Sequence, residues 1–307
     1  MNEAEAVRML SSCRLCPRRC GADRAGGQKG FCGAGANVRI ARAALHFWEE
    51  PCISGRNGSG TVFFSGCTMK CVYCQNYRIS SEGLGYEISI SQLAENFLRL
   101  RDEGAHNINL VTPTQYVPQI ICALDKAKER GLDIPIVYNT GGYESIDTLK
   151  LLRGYVDVYM PDIKYFDDKR AVKYSSAPDY SKVVCEAVEE MFRQTGEPML
   201  DDEGIMKKGV IIRHLMLPGG LADTVHIIDY VNSKYGSKVY FSLMSQYTPV
   251  RRSESFAELN ERIKKKCYEF AVERCEELGM ENVYIQEGEA ADESFIPEFS
   301  GKDEHSL

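Results

Sequence analysis

The sequence has no surplus of positive charge, no long apolar run and no disulfide-dense composition, and each absence removes a class of function. Thirty-seven Lys and Arg face 44 Asp and Glu, a formal net charge of −7. The electrostatic footprint of a general nucleic-acid binder is therefore missing. No apolar stretch approaches the ~18 residues that span a bilayer. The acidic start Met1-Asn2-Glu3-Ala4-Glu5 lacks the basic region of a secretory signal. Neither nucleic acid nor membrane is expected as a partner, and the cytoplasm is the expected location. Twelve cysteines in 307 residues is about 4%, too dilute for a disulfide scaffold, where ~8% is usual. Apolar residues at 44% and charged ones at 26% exclude a disordered chain.

What the chain does have is a cysteine gradient. Eight of the twelve (Cys13, Cys16, Cys20, Cys32, Cys52, Cys67, Cys71 and Cys74) fall in the first 74 residues. Clustered cysteines in a reducing compartment read first as metal ligands. Residues 1–58 are rich in Cys, Gly and Arg and show little apolar periodicity. They are expected to form a small Cys-rich N-terminal lobe built around a metal rather than around packed side chains. Arg56-Asn57-Gly58-Ser59-Gly60 is turn chemistry and marks a boundary, leaving 59–307 as the second unit.

In that second unit strand-like runs alternate with helix-like stretches. The strands are expected at 61–64, 108–111, 134–138, 156–160, 210–216 and 238–242, with a seventh run at 282–286. Ser91 caps a helix carrying Leu93, Phe97 and Leu100, ended by Gly104. A last long helix is expected to carry Phe256, Leu259, Ile263, Cys267, Phe270 and Arg274 before Gly279. Six strand–helix pairs imply an α/β fold with a parallel sheet and helices outside. Six are too few for a closed eight-fold barrel, so a partial (β/α)6 TIM-type barrel is expected, with a doubly wound sheet as the alternative. In either, functional groups belong at the C-terminal ends of the strands.

Directly after the first of these strands comes Gly66-Cys67-Thr68-Met69-Lys70-Cys71-Val72-Tyr73-Cys74-Gln75-Asn76. Three thiols spaced C-x3-C-x2-C can wrap a compact cluster. A [4Fe–4S] cube normally takes four cysteines, so three would leave one iron open for chemistry. A zinc site missing a ligand, or plain buried cysteines, are the alternatives, although zinc sites usually present paired halves. Upstream, Cys13-x2-Cys16-x3-Cys20-x11-Cys32 offers a complete tetrahedral set, for zinc or for a second Fe–S cluster. A reducing location argues against disulfides there. His46 and Cys52 read as structural, with completion of a metal site that has fewer head ligands as the alternative, and Cys122, Cys185, Cys267 and Cys275 within helical stretches read as inert. Phe295-Ile296-Pro297-Glu298-Phe299 is apolar enough to pack across a barrel mouth or edge.

The motif Cys67-x3-Cys71-x2-Cys74, with Tyr73 before its last cysteine, resembles the hallmark of the radical S-adenosylmethionine (SAM) enzymes, and the resemblance covers about residues 60–286. The flanks Ser65-Gly66 and Gln75-Asn76 are similar to the pyruvate formate-lyase activating enzyme-like subgroup. The Cys-rich head and Glu49-Glu50-Pro51 resemble its PflX-type members. The resemblance implies a [4Fe–4S] cluster on Cys67, Cys71 and Cys74, with SAM chelated through its amino and carboxylate groups. One electron then cleaves the sulfonium to methionine and a 5′-deoxyadenosyl radical that abstracts hydrogen. It also implies an electron donor such as flavodoxin or ferredoxin. In one branch the substrate is a glycyl radical enzyme; in another it is a small molecule or another protein. A non-catalytic Fe–S or zinc scaffold, which would need no SAM pocket, is the remaining class.

The resemblance extends to single residues. Asn139-Thr140-Gly141-Gly142-Tyr143 is similar to the activators' Asx-Thr-x-Gly-aromatic turn, which places Asn139 and Thr140 near the SAM carboxylate or ribose. Asp162-Ile163-Lys164 resembles their Asp-x-Lys element. On the residues alone, that pair suits a zwitterionic ligand or forms a simple surface ion pair. Arg213-His214 with Pro218-Gly219 resembles the Arg…Pro-Gly element, His214 itself reading as a core residue. The usual Gly-Gly-Glu-Pro is replaced by Thr112-Pro113-Thr114-Gln115-Tyr116, where Thr112 and Gln115 can still hydrogen-bond SAM. Gln246 and Tyr247, in Ser245-Gln246-Tyr247-Thr248-Pro249 after the sixth strand, are candidates to face SAM or substrate, with a structural turn as the alternative. In this family extra clusters usually follow the SAM motif, which tilts the head site towards structural zinc or a structural cluster.

Overall fold

A computed structural model describes residues 1–250, 254–286 and 299. The chain runs α1 (Glu3–Leu10), β1 (Val38–His46), α2 (Pro51–Ser54), β2 (Ser59–Phe64), α3 (Tyr77–Ser80), β3 (Tyr86–Ile88) and α4 (Ile90–Asp102). It continues with β4 (Ile108–Val111), α5 (Val117–Glu129), β5 (Ile136–Thr140), α6 (Ile146–Leu151), β6 (Val158–Pro161), α7 (Asp168–Ser175) and α8 (Tyr180–Thr195). The last part is β7 (Met199–Leu200), β8 (Met206–Leu215), α9 (Leu221–Tyr235), β9 (Tyr240–Met244), α10 (Lys265–Glu277) and β10 (Val283–Ile285).

The strand order is β10-β9-β8-β6-β5-β4-β2-β1-β3, with the short β7 antiparallel to β8. From β2 to β10 every neighbouring pair in this order is parallel. Each crossover therefore moves one step the same way. Right-handed crossovers then put all the connecting helices on one face, which is the winding of a barrel, not of a doubly wound sheet. The partial TIM-type barrel is the observed fold. The sheet does not stop at residue 59: β1 from the N-terminal segment pairs antiparallel with β2, from Ile40↔Phe64 to His46↔Ser59, and β3 pairs beyond it. A register shift between Ile40 and Arg42 breaks the period-two pattern of β1, which is why the sequence shows no strand there.

Two helix expectations need correction. α4 starts before Ser91, because Ser89 is the cap: its hydroxyl accepts from Gln92 N (3.1 Å) and Gln92 Oε1 accepts from Ser89 N (2.9 Å). The helix expected from Phe256 is split. Phe256 and Leu259 lie in a 3-10 segment whose Phe256 has non-helical angles, and α10 begins only after an extended Lys264. Of the expected apolar tail, 295–298 lie outside the described residues; Phe299 is buried edge-on against Phe63. Among the described residues no helix is long and apolar enough to cross a membrane.

Side-chain alternation divides the barrel into two layers. Tyr138, Tyr159 and Ile212 face the helices in the main core. Val137, Val158, Met160 and Ile211 face inward and close on Cys52 and Ile53 of α2. That short helix fills the barrel floor with fully buried Ile53, a side chain whose burial contributes ~1.5–3 kcal/mol. It also carries Glu49 and Glu50, the residues just before it, into the barrel.

Candidate active site

A cavity of ≈ 540 Å³ opens among the C-terminal ends of the strands, a volume typical of small-ligand sites. Its wall includes Val111, Asn139, Thr140, Asp162, Arg213, Met244 and Ile285, at or just past the ends of successive strands, and all three of Cys67, Cys71 and Cys74. Each thiol has a local hydrogen-bond partner: Met69 N donates to Cys67 Sγ (3.3 Å), Ser175 Oγ to Cys71 Sγ (3.0 Å) and Ser80 Oγ to Cys74 Sγ (3.3 Å). Burial pushes the Cys67 and Cys74 thiols up, Cys74 to about 12, and the neighbouring Cys71 adds to both. A buried thiolate set of this kind needs a cationic centre to ionise, which is what an iron cluster provides. The thiols share the wall without being drawn into coordination geometry: among the described residues no three His, Cys, Asp or Glu stand ready to hold a metal ion.

Facing the cysteines is an ionic stripe whose members come from neighbouring strands. Asp162, bridged in register to Arg213, receives Lys164 Nζ at 2.5 Å on Oδ2 and Arg213 Nε at 3.0 Å on Oδ1. Arg213 extends the stripe to Asn139 Oδ1 (2.7 Å) and to Glu49 Oε2 (3.3 Å), and Asn109 Nδ2 donates to Glu49 Oε1 (3.0 Å). Burial works against every charge here. Even so, Lys164 and Arg213 hold the Asp162 carboxyl below its ordinary range, and Asp162 holds both cations above theirs. The Asp162–Lys164 pair is thus an interior feature and not a surface ion pair. Glu49 had no role in the sequence; its place beside Arg213, 164 residues away, is set by the fold.

Other expected residues divide. Thr112 lines the cavity with φ +57°. Gln115 is not on the wall: its Nε2 braces the approach to the cysteine loop through Ser65 O, Gly66 O and Thr112 O (3.2, 3.1 and 2.8 Å). Thr140 is on the wall, but its hydroxyl donates to the buried Glu144, which also accepts from Thr114 Oγ1 at 2.6 Å. Gln246 lines the cavity and its carbonyl accepts from Gln75 Nε2 (2.9 Å), whereas Tyr247 is buried with its hydroxyl on Leu259 O. His214 points away from the site, between Ile163 O (2.7 Å) and Thr224 Oγ1 (2.9 Å). Burial lowers its pKa to about 4, so it is a neutral core histidine. His46 lines the cavity wall, and Cys52 lies in the floor cluster.

The N-terminal cysteines Cys13, Cys16 and Cys32 are buried and Cys20 is exposed, and they too form no group of three placed to hold a metal among the described residues. Burial pushes Cys16 to about 12 and raises Cys32, with Cys32 and Cys13 acting on Cys16, and Cys13 and Cys20 on Cys32. Arg24, fully buried, stitches this segment to the barrel by donating to Gly35 O (2.6 Å) and Gln115 O (2.7 Å). The same segment grips the cysteine loop. Cys67 N donates to Cys32 O (3.3 Å), Arg18 Nε to Thr68 O (2.5 Å), and the Arg18 guanidinium lies 3.6 Å over Phe31. Gly66 has φ +84°, and a Cβ there would sit 2.5 Å from Cys32 O, so the loop can approach this closely only at a glycine.

Two uncharacterized proteins of Methanocaldococcus jannaschii are similar over most of the chain. MJ0674 is 27% identical over 288 residues, covering 91% of this chain and 78% of its own, and MJ0808 is 24% identical over 253 residues, covering 73% and 67%. The solved structure of methylornithine synthase (PylB) superposes with a TM-score of 0.50 at 15% identity, over 91% of this chain and 69% of that one, a likeness of fold. Streptococcus suis SuiB bound to its precursor peptide SuiA gives 0.47 at 15% identity, over 71% of this chain, which spans only 46% of SuiB. The model of the Radical SAM superfamily matches residues 61–228, more than half of the sequence. The chain belongs to the radical SAM superfamily, whose members work with a [4Fe–4S] cluster and SAM.

Proposed function

We propose that Cys67, Cys71 and Cys74 hold the cluster, that the Asp162–Lys164–Arg213–Asn139 stripe seats SAM, and that the chain is a radical SAM enzyme acting on a substrate in the same cavity. The observation that carries this reading is that the three thiols and the ionic stripe open onto one cavity at the C-terminal ends of the strands. When bound, the cluster and SAM supply a one-electron cleavage of the sulfonium, giving methionine and a 5′-deoxyadenosyl radical that takes a hydrogen atom from the substrate. The protein's own part is to bind and aim. Asp162 offers acceptor atoms to an ammonium group and Lys164 a donor to a carboxylate. Arg213, itself fixed by Asn139 Oδ1, holds Asp162 in place. Gly141 on the wall lacks a side chain, and a Cβ there would meet Met69 Sδ at 2.9 Å. Ser175 and Ser80 donate to two of the sulfurs.

In this reading residues 1–58 act as a lobe in which Cys13, Cys16, Cys20 and Cys32 bind a second, structural metal. Its support is the grip of Cys32 and Arg18 on the cysteine loop. An electron donor such as flavodoxin or ferredoxin completes the system. The ionic interior favours a small polar substrate over the backbone glycine of a partner protein, which brings no charged group. The activator branch would instead give a protein-based glycyl radical signal when enzyme, SAM and reductant meet a glycyl radical enzyme. The central test is anaerobic: reconstituted protein with dithionite and SAM releases 5′-deoxyadenosine, and Cys71→Ala does not. Equal release from both would overturn the reading.

A further inference from the structure

Glu50 is the feature of the cavity that the proposed SAM site leaves unexplained. It is 8% exposed, it lines the cavity with Glu49 and Arg213, and its Oε2 has no hydrogen-bond partner among the described residues. Its backbone is fixed at the start of α2. Glu50 O accepts from Ile53 N (2.8 Å) and Ser54 N (3.1 Å), and Pro51 begins α2 directly behind it.

Ser242, on the same wall, hydrogen-bonds the Glu50 carboxyl without reaching Oε2, and the cationic donors nearby are committed. Arg213 Nε, Nη1 and Nη2 go to Asp162, Glu49 and Asn139, and Lys164 Nζ goes to Asp162. Asn109 Oδ1, also buried, likewise lacks a donor. Three carboxyls (Glu49, Glu50 and Asp162) and two cations, Lys164 and Arg213, line the cavity. Burial pushes the Glu50 carboxyl up, and Glu49 adds to this, while Arg213 and a hydrogen bond with Ser242 oppose it. A buried acceptor left in this state is the kind of group that a ligand donor completes.

We propose that Glu50 is the subsite for an ammonium group of the substrate. The inference rests on the reading of this cavity as the reaction site and names the substrate class: a compact primary amine. One free oxygen, with Glu49 already paired on both of its own, fits the point-like ammonium better than the planar fork of a guanidinium, which calls for two parallel acceptors. The ammonium brings the missing donor, and it anchors the substrate towards the barrel floor while the remainder extends to the cysteine side.

The test uses the reconstituted full-length enzyme with SAM present and two probes of the same chain length, n-butylamine and 1-butanol, with dissociation constants measured anaerobically by ligand-observed NMR. Wild type is expected to hold the amine at least ~10-fold more tightly than the alcohol. Glu50→Gln should erase that preference and Glu50→Asp should retain part of it, with iron content and Tm reporting that each variant folds. Equal binding of the two probes by wild type, or a Glu50→Gln protein of wild-type iron content that keeps the preference, would overturn the proposal. Binding is read without turnover, so failure here is distinct from failure of SAM cleavage.

Discussion

Replacing Glu144 by Gln is expected to stabilise the protein at pH 8 much more than at pH 5. Glu144 is buried, accepts hydroxyl hydrogens from Thr114, Thr140 and Tyr138, and has its carboxyl pushed from 4.5 to about 7 by burial, which those hydrogen bonds only partly oppose. The folded protein therefore binds this proton more tightly than the unfolded chain does. Stability is fullest below pH ~4.5 and is lost as pH rises through 7. At ~1.4 kcal/mol per pH unit, the full loss is about 3 kcal/mol at pH 8, of which about 1 kcal/mol is already present at pH 5. Gln has no proton to lose, and the three hydroxyls can rotate to meet its amide. The difference between variant and wild type should widen by about 2 kcal/mol between the two pH values, or about 4–8 °C in Tm on the usual scale for large domains. Thermal unfolding of both proteins across pH 5–8 measures it. A difference that stays constant with pH, or a Glu144→Gln protein that loses ground at pH 8, would refute the reasoning.

Arg213→Ala leaves Asp162, Glu49 and Asn139 without a shared partner and should cost about 3–5 kcal/mol in urea unfolding. Adding Glu49→Gln should recover part of that, and a loss under ~1 kcal/mol would contradict the buried network. Ser175→Ala removes the hydroxyl on Cys71 Sγ and should make the cluster potential more negative in an EPR-monitored titration; an unchanged potential would show that Ser175 does not tune it. A Cys67/Cys71/Cys74 triple Ala variant, purified anaerobically, should retain the head metal. Zinc in elemental analysis would support a structural ion and iron a second cluster, while neither would show that the head cysteines bind no metal.

The parallel strands were legible because strands buried on both faces read as continuous apolar runs, and 108–111 is reproduced to the residue. The antiparallel β1 was not, because a register shift and two outward arginines hide its alternation. The cysteine motif was legible because its chemistry is local: three thiols within eight residues must share a loop. Asp162 and Lys164, two residues apart, could be read as a pair, but their place inside the cavity could not. Gln115 was misplaced because Thr114–Tyr116 forms a tight 3-10 turn, and its amide is turned onto the chain before Cys67. Arg24 looked like one more arginine in a basic, Cys-rich stretch, and only folding shows it fully buried between that stretch and the barrel.

The sequence by itself determined the number of strand–helix units, the cysteine loop and the polar residues that close individual strands, since each is written in spacings of a few residues. The tertiary structure decided the rest: that the sheet winds one way only, that α2 fills the barrel floor, and that Glu49 meets Arg213 across 164 residues while Glu50 Oε2 is left without a donor. Short-range periodicity fixes which face of a strand a side chain takes. Which charges then meet inside the barrel depends on the register between strands far apart in the chain.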